Sequence, residues 1–356
     1  MPIELRLAPA AREDPMAERL VALVDEHADN FIGIPGIDFG FMGLPSEYRE
    51  TVIEERPGRF RRVHRVHETP VGEFDAITYH PEGLDNFHWE KRFVSTIEDL
   101  DRLIAAPRSL ATWDPDTRQR DLERVGDRGY PRGTLWHPLG TLVRNATHEE
   151  VYAWFHTEPD RMHRYAETCT RQIVASMEAM DPLDGAPFCF VTFAHEMLIT
   201  PWMGHDLFDR YVMPYDREIG QAIHDAGARW RVHCHGNSLT FLERFIELGV
   251  DNIEPLEPPP PGDVDLAEAS RIADGRMMLS GNIASQYFTT ADPDDVRRQV
   301  KEAIRVAAPG GGFTLRTTGG NASTGQARDE TTKKRIYDNC EAYLLAGLEY
   351  GQYPIR

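Results

Sequence analysis

The stretch "RWRVHCHGNSLTFLERF" occupies residues 229–245. Its first half reads as a buried strand and its second half has helical periodicity. Two histidines, His233 and His235, stand at the join, with Cys234 between them. Residues i and i+2 of a strand point to one face, so the two imidazoles can converge on one ion. Cys234 points the opposite way, toward covering helices, where a thiol packs as a small hydrophobe.

The same strand-then-helix rhythm runs outward in both directions. "GTLWHPLG" leads into helical patterns over 148–157 and 160–180, and "FCFVTFAHE" precedes one near 205–227. The helix over 238–248 has Ser238 as its cap and Gly249 at its close. "NIEPLE" precedes a helix near 265–273, and "MMLSGNI" precedes 293–307, with Asp292 as N-cap and Pro293 at the first position. "FTLRTTGG" precedes the last helix, about 329–347. Repetition of this kind means parallel strands with right-handed crossovers. The number of units predicts an α/β fold, a (β/α)8 TIM barrel, rather than a doubly wound sheet. No GxGxxG follows the first strand and no GxxxxGK[ST] occurs, which removes the common nucleotide-binding signatures.

Upstream, residues 15–30 carry helical spacing, and 59–98 read as a hairpin turning at Pro70–Gly72, followed by a helix entered at Ser95 or Thr96. The organisation expected is an N-terminal helical and hairpin extension over 1–105 packed on a barrel over 106–356, the two forming one structural unit.

The chain has 356 residues, 41% apolar and 10% aromatic, enough for a large core. Its net charge of -19, from 58 acids against 39 bases, argues against nucleic acid or an anionic membrane as partner. Four scattered cysteines are too few for a disulfide framework, so reduced thiols and a cytoplasmic location are expected. The first residues hold no apolar core of signal-peptide length, and no run long enough to cross a membrane occurs.

In a barrel of this class the working residues sit where strands end. Those strand ends supply His195 and Glu196, His233 and His235, Glu254 and Glu257, Asn282, and Thr317 and Thr318. His195 and Glu196 are the candidate acid/base pair, of which strand alternation lets only one face the mouth. A catalytic zinc takes three protein ligands and keeps one open position. His233 and His235 would supply two. The third comes from a neighbouring strand: Glu257 is favoured, with Glu254 and Glu196 as alternatives. Trp202, Glu254, Asn282 and Thr318 are candidates to line the substrate pocket.

The stretch from "VHCHGNSLTFLERFIELGVD" through "LSGNI" to "V...V.EAI...APGGGF" resembles the uroporphyrinogen decarboxylase-like superfamily. The segment "MLITPWMGHDLFDRYVMPYDREIGQAIHDAG" also resembles what precedes that strand in the family, and the likeness spans most of 60–347. The resemblance implies a (β/α)8 barrel with its pocket at the C-terminal mouth. One branch of the family decarboxylates uroporphyrinogen with an arginine-rich N-terminal loop. This chain reads "GIDFGFMGLPSEYRE" there, without those arginines, and "TTGGNASTG" where that branch has G-H-G. The other branch comprises zinc methyltransferases that work with corrinoid proteins through H-x-C and a later cysteine. His233 matches the histidine, His235 replaces the first cysteine, and no cysteine stands near Thr317 or Thr318. Cobalamin-independent methionine synthase, a more distant look-alike, places a glutamate near "IEPLE", which keeps Glu257 and Glu254 as ligand candidates. A homodimer is common in the family.

Two imidazoles and one carboxylate leave zinc a net charge of about +1, a stronger Lewis acid toward oxygen than a thiolate site. The expected function is therefore a zinc-dependent methyltransferase or O-demethylase acting on a small methylated substrate, with a corrinoid protein as one acceptor. The alternatives are a metal-dependent lyase or hydrolase on the same barrel, and a non-catalytic binding protein.

Overall fold

The computed structural model describes residues 1–33, 39–83, 86–111, 129–179, 188–319 and 329–355, with Arg120, Glu123 and Ala327 besides. In chain order its strands are β1 (Asn30–Gly33), β2 (Glu47–Arg56), β3 (Phe60–Thr69), β4 (Gly72–Pro81), β5 (His88–Lys91) and β6 (Gly129–Trp136). They continue with β7 (Cys189–Phe193), β8 (Arg229–Cys234), β9 (Asn252–Pro255), β10 (Met278–Ile283) and β11 (Phe313–Thr317). Seven of them form one parallel sheet in the order β1-β6-β7-β8-β9-β10-β11. Its consecutive strands lie side by side, as right-handed crossovers produce.

The N-terminal residues complete the ring. Ile3 bridges Leu315 of β11 in parallel, with Glu4 N–H donating to the Leu315 carbonyl at 2.8 Å. On the other side Asp29 N–H donates to the Ile3 carbonyl at 2.8 Å, and Ile3 N–H to the Asp29 carboxylate at 3.1 Å. Residues 2–4 are thus the eighth stave, and the architecture is the (β/α)8 barrel.

This changes the organisation expected from sequence. The span 1–105 is not a unit outside the barrel, because it contributes the first stave and β1. What is inserted, between β1 and β6, is the four-stranded antiparallel sheet β2-β3-β4-β5 and the helix Ile97–Ala105. The turn at 70–72 falls between β3 and β4 as expected. Strand β2 went unread because almost every residue in it is exposed on both faces, so no apolar alternation marks it. The helix Ile97–Ala105 begins on a capping box: Thr96 Oγ1 accepts from Asp99 N–H and the Asp99 carboxylate accepts from Thr96 N–H.

Along β8 the residues alternate. Trp230, Val232 and Cys234 are fully buried among the helices, while Arg231 and His233 face the lumen. Trp230 packs on Gly220 of the helix Met213–Asp225 and donates its indole N–H to Thr192 Oγ1 at 3.0 Å. The single helix expected over 205–227 is two, His205–Tyr211 and Met213–Asp225, the second carrying Pro214 in its first turn. After β8 a short 3-10 turn precedes the helix Leu242–Glu247. Ser238 does not cap it; the Asp263 carboxylate accepts from Leu239 and Thr240 N–H at 2.9 and 3.2 Å instead. Gly249 closes the segment at φ +82°.

Candidate functional site

His233 and His235 come together at the C-terminal mouth. Their ring centres are 4.6 Å apart and the rings stand at 80°. Each imidazole has its own carboxylate. His233 Nδ1 is 3.0 Å from Glu254 Oε1, and His235 Nδ1 is 2.9 Å from Glu257 Oε1. A carboxylate only accepts, so Nδ1–H donates in both pairs and each Nε2 is left facing away from its carboxylate. Outer carboxylates are the usual means of fixing the tautomer and orientation of a metal-binding histidine.

Burial, then the neighbouring His235 and Arg316, push the His233 pKa down to about 3, so the ring is neutral at physiological pH. Glu257 is held as the anion: burial raises its pKa, but the bonds from His235 and from Gly236 N–H, at 2.9 Å, outweigh it. Both Glu257 oxygens are thereby engaged. In this geometry Glu257 orients His235, whereas the sequence reading made it a direct ligand.

Glu254 lies deeper, 3% exposed, and belongs to an ion-pair cluster inside the barrel. Arg316 contacts both Glu254 and Glu4, and Arg231 is 2.9 Å from Glu4 and 3.6 Å from Glu254. It bridges His233 to the lumen arginines. Asn282, which pairs in register with Arg316, shares that face.

His195 and Glu196 separate. Ala194 takes the left-handed conformation at φ +76° immediately after β7, which ends the strand alternation. His195 turns back into the wall, 0% exposed, with Nε2 2.9 Å from Asp216 Oδ2. Glu196 lies beside His233 at the mouth, and its Oε2 is buried without a hydrogen-bond partner. Leu256, at φ +59°, makes the same kind of break before Glu257.

Trp202 packs against the helix that follows Thr147. It is 48% exposed and stacks on Tyr152 of the helix His148–Thr157, with ring centres 5.7 Å apart. Thr317 and Thr318 serve the backbone: Thr317 Oγ1 donates to the Gly319 carbonyl at 2.6 Å, and Thr318 Oγ1 accepts from Ser285 N–H at 3.2 Å.

A second cluster escaped the sequence reading. His137, His195 and Asp216 are all buried, and among the described residues they are the one group of three whose ligand atoms all lie within 4.8 Å of one another. The cluster could hold a metal ion. Its hydrogen bonding suits a different state. His137 Nδ1 accepts from Gly140 N–H at 3.2 Å, which puts the ring proton on Nε2, 2.7 Å from Asp216 Oδ1 and off the hydrogen-bond axis. A protonated nitrogen does not ligate. Burial lowers the His137 pKa. Burial raises that of Asp216, but the two imidazoles outweigh it and hold the carboxyl well below its ordinary range. The result is one buried carboxylate held between two imidazoles. It ties the loops after β6 and β7 to the helix Met213–Asp225.

At the opposite end of the barrel a cavity of about 630 Å³ opens beside Glu4, Arg229, Arg231 and Asp251. These charges are already paired, Arg231 with Glu4 and Arg229 with Asp251.

The fold and the strand-end histidines define a (β/α)8 barrel protein with a pair of carboxylate-bonded imidazoles at its C-terminal mouth. Residues 136–322, more than half of the chain, match the uroporphyrinogen decarboxylase (URO-D) family, and the chain belongs to it. Among solved structures it is similar to a methyltransferase from Methanosarcina mazei, with 13% identity, 99% of this chain and 94% of that one covered, and a TM-score of 0.57. This likeness is one of fold. A Xaa-Pro dipeptidase with bound methionine is similar at 14% identity over 65% of this chain and 59% of that one, with a TM-score of 0.28. No curated protein matches the chain. No helix among the described residues is long and apolar enough to cross a membrane.

Proposed function

We propose that this chain is a metal-dependent methyltransferase or O-demethylase acting on a small methylated substrate. The observation that carries this reading is the pairing of each strand-end histidine with its own carboxylate, His233 with Glu254 and His235 with Glu257. That arrangement brings two imidazoles from alternate positions of one strand end together at the mouth. The two imidazoles are donors that zinc accepts and would supply two of the three protein ligands a catalytic zinc commonly takes. When bound, zinc would act as a Lewis acid toward an ether or phenol oxygen.

The chain's own residues supply the rest. Glu254 and Glu257 keep the two rings in the ligating tautomer. Glu196, with its partnerless Oε2 beside His233, would deliver a proton to the leaving oxygen as the methyl group departs. His195 has no route to that oxygen from inside the wall, so of the two acid/base candidates Glu196 takes the role. The methyl acceptor we favour is a corrinoid protein. The methyltransferase title of the Methanosarcina mazei neighbour is consistent with this assignment.

The test is elemental analysis of the purified protein and of a His233→Ala/His235→Ala variant, joined to a demethylation assay with a methoxylated substrate and a corrinoid protein. Loss of both metal and turnover in the variant is expected. Full metal content in the variant would remove the centre from this site.

A further inference from the structure

The barrel lumen carries more positive charge than its own carboxylates neutralise. Four arginines face it: Arg6, Arg132, Arg231 and Arg316. Arg231 and Arg316 share Glu4 and Glu254. Arg6 and Arg132 have no carboxylate within ion-pair reach among the described residues. The Arg6 guanidinium donates to the Phe31 carbonyl, and Arg132 Nε is buried without a hydrogen-bond partner. Burial, then the charge of Arg132, lowers the Arg6 pKa to about 10, and burial and Arg231 lower that of Arg132. Two guanidiniums that repel each other in a partly desolvated lumen are costly unless an anion joins them.

Their position ties this charge to the mouth. Arg132 lies 5.9 Å from the Phe193 ring centre, and the same ring is 4.9 Å from that of His233. One aromatic side chain therefore touches both the free cation and the proposed reacting centre. Trp136, 47% exposed, packs on Phe193 at 5.5 Å and extends the apolar wall. Arg132 and His233 thus flank one ring. Guanidinium binds carboxylate through paired hydrogen bonds, and the aromatic wall suits a ring-sized apolar body.

We infer that Arg132 and Arg6 form a carboxylate subsite, so that the substrate of this mouth is a small carboxylic acid with an apolar, ring-sized body, anchored by its carboxylate while its far end reaches His233 and His235. This rests on the reading of those histidines as the reacting centre.

The test is calorimetric titration of the intact protein with benzoate and with its neutral isostere benzamide. Benzoate is expected to bind at least tenfold tighter than benzamide. Arg132→Met should abolish that preference and Arg132→Lys should retain part of it, with circular dichroism confirming that both variants fold. Arg6→Met should weaken benzoate in the same direction and provides an independent reading if Arg132→Met is unfolded. Equal affinity for the two probes, or a preference unchanged in the arginine variants, would overturn the subsite. The His233→Ala/His235→Ala variant separates the two readings. Benzoate preference together with full metal content in that variant leaves the subsite standing and the metal centre rejected; metal lost in that variant while the intact protein binds the two probes equally does the reverse.

Discussion

His233 illustrates how a side chain acquires its chemistry from what surrounds it. Buried beside His235 and Arg316, it is neutral well below pH 7, and Glu254 decides which nitrogen is free. His235 depends in the same way on Glu257, and this sets the first expectation. Glu257→Gln keeps the shape but removes the anionic acceptor, so metal affinity should fall about 10–100-fold, measured by competition with a chelator. Unchanged affinity would mean that Glu257 does not orient the ligand. Glu196→Gln should behave differently. As a proton donor outside the ligand set, its loss should leave metal content intact and lower turnover roughly 10²–10⁴-fold. Metal lost along with turnover would move Glu196 into the ligand set.

At the level of elements, the site depends on the seating of β8 against the helix Met213–Asp225. A Cβ on Gly220 would lie 2.5 Å from the Trp230 ring, and Trp230 is the residue before Arg231 on the strand that carries His233. In an open helix, Gly→Ala gains about 1 kcal/mol. Here the overlap with a fully buried indole reverses the sign, and Gly220→Ala should cost about 1–3 kcal/mol, read from the urea midpoint. A stabilised variant would show that the strand and helix can part without penalty. The two breaks in strand alternation, Ala194 and Leu256, also act at this scale. Each left-handed residue ends the simple in-out pattern just before a candidate site residue, His195 or Glu257. Nothing in an alanine or a leucine announces that conformation, so the facing of His195 could not be read from local pattern.

For the whole molecule, the buried His137–Asp216–His195 clamp predicts how stability follows pH. The folded state holds the His137 pKa below its ordinary 6.5. As pH falls through 6.5 the unfolded chain takes up a proton that the folded one refuses, so stability decreases on acidification. Asp216, lowered from 3.8, adds a further loss below about pH 4. Urea midpoints measured from pH 7.5 to 5 should therefore decline, and the decline should be shallower in His137→Gln. A midpoint equally steep in both proteins would assign the effect to other groups.

The strand-helix rhythm, the parallel barrel and the convergence of His233 with His235 were legible in sequence, because apolar periodicity and the two-residue repeat of a strand are local properties of the chain. Arg231, two residues before His233, could have been placed on the same face by that rule. The eighth stave at residues 2–4 could not, because its hydrogen bonds are to β11 and Asp29, far away along the chain. Nor could the pairings of Glu254 and Glu257 with separate histidines, the withdrawal of His195 toward Asp216, or the meeting of Arg6 with Arg132. Each depends on distances between residues that only closure of the barrel brings together, and the electrostatic energy that gives them their roles exists only once burial has removed the water between them.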